Sequence, residues 1–212
     1  MTSFADLGVS PDLTAALDAR GITAPFPVQQ LTIGDALAGR DVCGKAKTGS
    51  GKTLAFGLPL LERVKGAEPR RPRALILVPT RELAIQVRDE LAPLGEVRDI
   101  NVSAIYGGAK METQVAELAK GVEIAVATPG RMIDMIDRKV EWILRHVPGQ
   151  HQTLLFSATL DGVVDTLIKR YQTDPAMHEV VSEQVTVEQM QHRFLQVHDM
   201  DKVRVAAAII RN

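Results

Sequence analysis

Ala46-Lys47-Thr48-Gly49-Ser50-Gly51-Lys52-Thr53 stands directly after a short apolar run at 41–45 and opens an amphipathic stretch at 53–64. Glycines in such a loop let backbone N–H groups close around phosphate oxygens, and the N-terminus of the following helix adds a favourable dipole. In that arrangement Lys52 reaches the β- and γ-phosphates, and the Thr53 hydroxyl binds magnesium. Ala46 occupies a position where the usual pattern has glycine; the rest of the pattern is intact. A chance glycine- and serine-rich turn would not be expected to have both the strand before it and the helix after it. The stretch reads as a nucleoside triphosphate site.

Working outward from this loop, short apolar runs alternate with helical stretches. Strands are expected at 41–45, 74–78, 102–106, 124–127 and 153–156, and helices at 53–64, 81–94, 111–120 and 131–138. Such alternation argues for an α/β fold, a parallel sheet flanked by helices. Upstream, Ser10 is placed to cap a helix with Pro11 at its first position and Gly21 closing it after Arg20, and a second helix is expected at 27–38. Downstream, 162–171 reads as a helix, 178–181 as a short strand and 183–191 as a polar linker. A strand at 192–197 and a helix at 202–210 follow, too small to bury a core of their own. The expected boundaries are therefore 1–183 for the nucleotide-binding domain and 184–212 for a linker and the first elements of a second, truncated domain.

The chain has 212 residues, 45% hydrophobic and 24% charged, the balance of an ordinary soluble protein. Its net charge of −1 gives no general pull towards nucleic acid, so any such role rests on local motifs. The single cysteine, Cys43, fits a reducing compartment and reads as a small buried hydrophobe. With no signal-peptide pattern and no apolar run near membrane length, the expectation is a cytoplasmic protein without membrane contact. Oligomeric state is left open.

A nucleoside triphosphate site needs a second part. Its usual form is an apolar strand ending in an aspartate that holds magnesium, often with a glutamate that activates water. None of the strands expected between the loop and residue 160 ends that way: 74–78 runs into Pro79-Thr80, 124–127 into Thr128-Pro129, and 153–156 into Ser157-Ala158-Thr159. The acids of Met132-Ile133-Asp134-Met135-Ile136-Asp137 have helical spacing.

Taken together, several strings resemble the DEAD-box family of ATP-dependent RNA helicases. Gly21-Ile22-Thr23-Ala24-Pro25-Phe26-Pro27-Val28-Gln29, with Phe4 upstream, looks like that family's adenine-recognising Q motif. A glutamine amide can read the N6/N7 edge of adenine, and an aromatic ring can stack on the base. Pro79-Thr80-Arg81-Glu82-Leu83-Ala84 resembles motif Ia, Gly107-Gly108 the family's glycine pair, and Thr128-Pro129-Gly130-Arg131 motif Ib. The resemblance implies a RecA-like domain that grips RNA, single-stranded or duplex, by its sugar–phosphate backbone without reading sequence. The residues carried over for RNA are Pro79, Thr80, Arg81, Gly107, Gly108, Thr128, Pro129, Gly130 and Arg131. ATP falls to Phe4, Gln29 and residues 46–53, with Lys52 and Thr53 as the catalytic pair. Ser157-Ala158-Thr159 resembles motif III, whose Ser157 and Thr159 would couple hydrolysis to strand separation. With the partner acids missing, their hydroxyls are expected only to cap a helix.

The departures matter equally. In the family, a strand carrying Asp-Glu-Ala-Asp and a further helix lie between motifs Ib and III. Here Lys139-Val140 runs straight into Glu141-Trp142-Ile143-Leu144-Arg145, and Ser157 follows Arg131 by only 26 positions. One βαβ unit takes about 30 residues, so the full passage does not fit. An internal deletion near 140/141 is the expectation, with hydrolysis lost and the sheet split or left with an exposed edge. Two other readings compete: a non-catalytic nucleotide-dependent binding module, and an unstable gene product. The first requires soluble folded protein; the second predicts aggregation.

Overall fold

A computed structural model of the chain describes residues 2–68, 71–136, 151–160 and 162–180. The expectations at 137–150, 183–191, 192–197 and 202–210, with the 183/184 boundary, lie outside them. The described residues belong to one compact unit, Met1–Val181.

Helix α1, Pro11–Ala19, starts where expected, with Ser10 extended before it and Gly21 left-handed (φ +74°) after it. The Ser10 hydroxyl does not cap it. The oxygen lies 2.7 Å from Glu62 Oε1 and 2.5 Å from Asp12 Oδ1, drawn into a cluster around Arg98. Arg98 donates to Asp12 Oδ2 at 2.6 Å, to Glu62 Oε2 at 2.7 Å and to the Ser10 hydroxyl, tying the start of α1 to two distant segments. The Arg98 hydrogen bond holds the Asp12 carboxyl well below its usual range. Helices α2 (Pro27–Leu37), α3 (Lys52–Arg63) and α4 (Arg81–Glu96) follow. Helix α4 outruns its expected end at 94 despite Pro93. Leu94 and Gly95 are buried, and a Cβ on Gly95 would lie 2.5 Å from Ile100 O, so packing overrides the weak local pattern. Helices α5 (Met111–Ala119), α6 (Pro129–Ile136) and α7 (Gly162–Tyr171) complete the set.

Six strands form among the described residues: β1 Val42–Lys45, β2 Ala74–Leu77, β3 Val102–Ile105, β4 Ile124–Ala127, β5 Leu154–Ser157 and β6 Ala176–Glu179. The last lies two residues before its expected position, because Ala176 N donates to Asp41 O at 2.8 Å and sets the register there.

Among the described residues the strands fall into two sheets. The orders are β5-β1-β6 and β2-β4-β3, every pair is parallel, and no ladder joins the two groups among the described residues. Helix α2 lies on β1 and β6, α4 lies on β3 and β4, and α3 packs between α2 and α4. Leu54, Leu58 and Leu61 of α3 join Ile76, Val78, Ile124 and Val126 in the main core. Ala55 packs with Ala46 and Phe156, and the Phe56 and Phe156 rings sit 5.7 Å apart. Helix α3 thus packs against both sheets.

Candidate functional site

The loop after β1 takes the shape its glycines permit. Gly49 and Gly51 adopt φ +77° and +82°, and Gly51 stands at the N-terminus of α3. Lys52 folds back over the loop: its Nζ donates to Ala46 O at 2.6 Å and Lys47 O at 2.8 Å. Burial pushes the Lys52 pKa down. The Ser50 hydroxyl is buried and has no hydrogen-bond partner among the described residues, a group that a ligand oxygen would satisfy. Lys47, Thr48 and Gly49 are exposed, while Ala46 is buried in the floor of the loop. This donor set, an ammonium, a hydroxyl and glycine N–H groups at a helix start, fits a phosphate chain.

Gln29 is brought against this loop, though not as an open adenine reader. Its side chain is 1% exposed, Oε1 accepts from Phe26 N at 2.8 Å, and Nε2 donates to Gly51 O at 2.9 Å. The amide latches the 21–29 turn to the phosphate loop, keeping one N–H and one lone pair in reserve. A Cβ on Gly51 would lie 2.5 Å from that Nε2, so only glycine allows the approach. Phe4 corrects the stacking expectation. Its ring is 1% exposed in the main core beside Leu13 and Leu17, and it has no face to offer a base. The exposed ring at the loop is Phe26, at 56%, which sequence reasoning passed over as part of a turn.

Ser157, at the end of β5, is tied to the loop through its backbone: Ala46 N donates to Ser157 O at 3.0 Å. Its hydroxyl accepts from Thr159 N at 3.3 Å, closing a local turn instead of capping α7.

On the second sheet, Pro79, Thr80 and Arg81 are exposed after β2, and Thr80 Oγ1 caps α4 by accepting from Leu83 N at 3.3 Å. The Arg81 guanidinium lies 5.6 Å over the Tyr106 ring and close to Gly108, which turns at φ +90°. Motif Ia and the glycine pair, including exposed Gly107, therefore meet on one surface. Thr128, Pro129 and Gly130 lead into α6, with the Thr128 carbonyl accepting from Met132 N at 3.1 Å. Arg131 departs from its expected role. It is 9% exposed, and its Nη2 donates to Ala109 O at 3.1 Å while Nη1 reaches Gln114 Oε1 at 3.5 Å. Gln114 in turn donates to Tyr106 O at 3.1 Å. Arg131 and Gln114 hold the 106–109 loop from behind. Gln114 carried no sequence signal, being a polar residue on an amphipathic helix.

Among the described strands only β6 ends in an acid, and Glu179 Oε1 is paired with Lys45 Nζ at 2.7 Å.

The profile of the DEAD/DEAH box helicase family matches residues 26–147. The chain belongs to that family. The DEAD-box ATP-dependent RNA helicase CshA of Geobacillus kaustophilus is 36% identical over 236 residues, covering 99% of this chain and 50% of the relative. Its Bacillus licheniformis counterpart is 38% identical over 226 residues, 94% of this chain and 46% of the relative. The chain thus spans about half the length of the curated relatives it matches. The crystal structure of the RNA helicase Prp28 from Chaetomium thermophilum bound to ADP superposes with a TM-score of 0.77 at 30% identity. That match covers 100% of this chain and 57% of Prp28. The fold is an incomplete RecA-like domain of this DEAD-box family member. An alignment of 236 residues against a chain of 212 also means that the Geobacillus relative carries an internal excess of some two dozen residues or more.

Proposed function

We propose that this helicase-family chain is the ATP- and RNA-binding N-terminal half of a DEAD-box ATP-dependent RNA helicase, and that as written it binds ATP without hydrolysing it. The observation that carries the reading is the phosphate loop, closed over itself by Lys52 and latched by Gln29, in a chain with no Asp-Glu-Ala-Asp string. Lys52 and the loop N–H groups would hold the phosphates, and Thr53 would hold a magnesium ion that offsets phosphate charge. The residues that would orient water are missing. A cytoplasmic setting belongs to the same proposal.

Base recognition is assigned to the spare N–H and lone pair of Gln29, with the exposed Phe26 ring as the surface a base can reach. A bidentate base contact discriminates by about 1–3 kcal/mol. Gln29→Ala should therefore narrow the preference for ADP over GDP by roughly tenfold or more in a calorimetric titration. Equal affinity of the unmodified chain for the two nucleotides would contradict the assignment.

RNA is assigned to the Pro79–Arg81, Gly107–Gly108 and Thr128–Gly130 surface, and binding should be weak and steeply salt-dependent. The two arginines separate by mechanism. Arg81→Ala removes an exposed cation and should lower the salt slope by about one counterion. Arg131→Ala removes a buried brace and should weaken binding with the slope unchanged. Tight, sequence-selective binding at physiological salt would overturn the reading.

A further inference from the structure

Gln114 lies on α5 and is 4% exposed, a burial that an amide tolerates where its polar atoms are met. Its Nε2 donates to Tyr106 O at 3.1 Å, and its Oε1 accepts from Arg131 Nη1 at 3.5 Å. The same guanidinium donates through Nη2 to Ala109 O at 3.1 Å. Those two carbonyls flank Gly107-Gly108, so one buried amide–guanidinium pair pins the exposed turn on both sides. Glycine has the freest backbone of any residue, and the pins are what restrict it here. The bond to Tyr106 reaches further, because the Tyr106 ring carries the Arg81 guanidinium at 5.6 Å. A Cβ on Gly108 would lie 3.5 Å from Arg81 Nη1, so cation and turn share one surface.

We infer that Gln114 is a positioning residue for the RNA backbone, acting through Tyr106 and Arg131 without touching RNA itself. The inference rests on the assignment of RNA to the surface that holds Arg81 and Gly107-Gly108. A turn ordered beforehand avoids the entropy lost when a free loop is fixed on binding. The neutral amide suits the place. A carboxylate there would still meet Arg131, but it would repel Tyr106 O and set a negative charge behind a turn that faces phosphate.

Two variants of the full 212-residue protein test this. Gln114→Leu removes both bonds, whereas Gln114→Glu keeps an acceptor for Arg131 and removes the donor to Tyr106 O. In both, NMR order parameters of Gly107 and Gly108 should fall from the rigid range near ~0.85 to below about 0.6, while Ala125 and Val126 of β4 stay rigid. Affinity for single-stranded oligouridylate should weaken roughly threefold to tenfold, the worth of one hydrogen bond. The salt slope of Gln114→Leu should stay unchanged, since no cation is lost, in contrast to Arg81→Ala. Unchanged glycine order in both variants overturns the inference. So does a loosened turn with unchanged RNA affinity, where Arg81→Ala still weakens binding. Loosening of β4 as well in Gln114→Glu would make Gln114 a support of the fold alone and also overturn it. If Arg81→Ala leaves binding untouched too, the RNA assignment of this surface falls, and the inference with it.

Discussion

Insertion of the Geobacillus kaustophilus internal segment between Val140 and Glu141 is expected to turn a broad, non-cooperative thermal transition into a single sharp one. Among the described residues the strands fall into β5-β1-β6 and β2-β4-β3, and α3 packs against both. Side chains of a buried strand contribute about 1.5–3 kcal/mol each when fully buried, so a strand of about five residues is worth on the order of 8–15 kcal/mol. Total domain stability is about 5–15 kcal/mol, so loss of that strand removes most of the margin. Calorimetry checks this through the agreement of calorimetric and van't Hoff enthalpies, which should appear only after insertion. A sharp, two-state melt of the chain as written, unmoved by insertion, would show that the two halves already form one cooperative unit.

The second large effect falls on Lys52. Its ammonium has three N–H donors, two of which hold the Ala46 and Lys47 carbonyls, and all three can turn to phosphate oxygens. Hydrogen bonds to charged groups are worth about 1.5–3 kcal/mol, so Lys52→Ala should weaken ATP binding by roughly tenfold to a hundredfold. Adenosine, which has no phosphate to meet, should bind both forms equally. Parallel titrations of ATP and adenosine read the difference. An equal loss for both ligands would mean that Lys52 acts only by holding the loop together.

The fold was legible where local chemistry decides it. Gly49, Gly51, Lys52 and Thr53 lie within five positions, and the strand before them and the helix after them follow from the same short window. The phosphate loop was therefore readable residue by residue. Roles that depend on distant partners were not. Gln29 is singled out by its motif, but its bond to Gly51, which joins residues 22 positions apart and latches the turn to the phosphate loop, is not legible there. Phe4 was read as a stacking ring because sequence gives proximity to a motif, not the direction of a side chain. Hydrophobic burial against Leu13 and Leu17 decided that direction. Arg131 resembled an exposed phosphate contact until Gln114, 17 positions earlier, gave its guanidinium a buried partner. The register of β6 failed for a related reason, since Asp41 O, far away in sequence, fixes where that strand begins.

The central claim is a nucleotide site that binds without turning over, and single-turnover hydrolysis of labelled ATP with magnesium and saturating RNA tests it most directly. The unmodified chain should hold ATP in a filter assay yet release phosphate no faster than the Lys52→Ala protein. RNA-stimulated phosphate release above that background, lost on Lys52→Ala, would contradict the account.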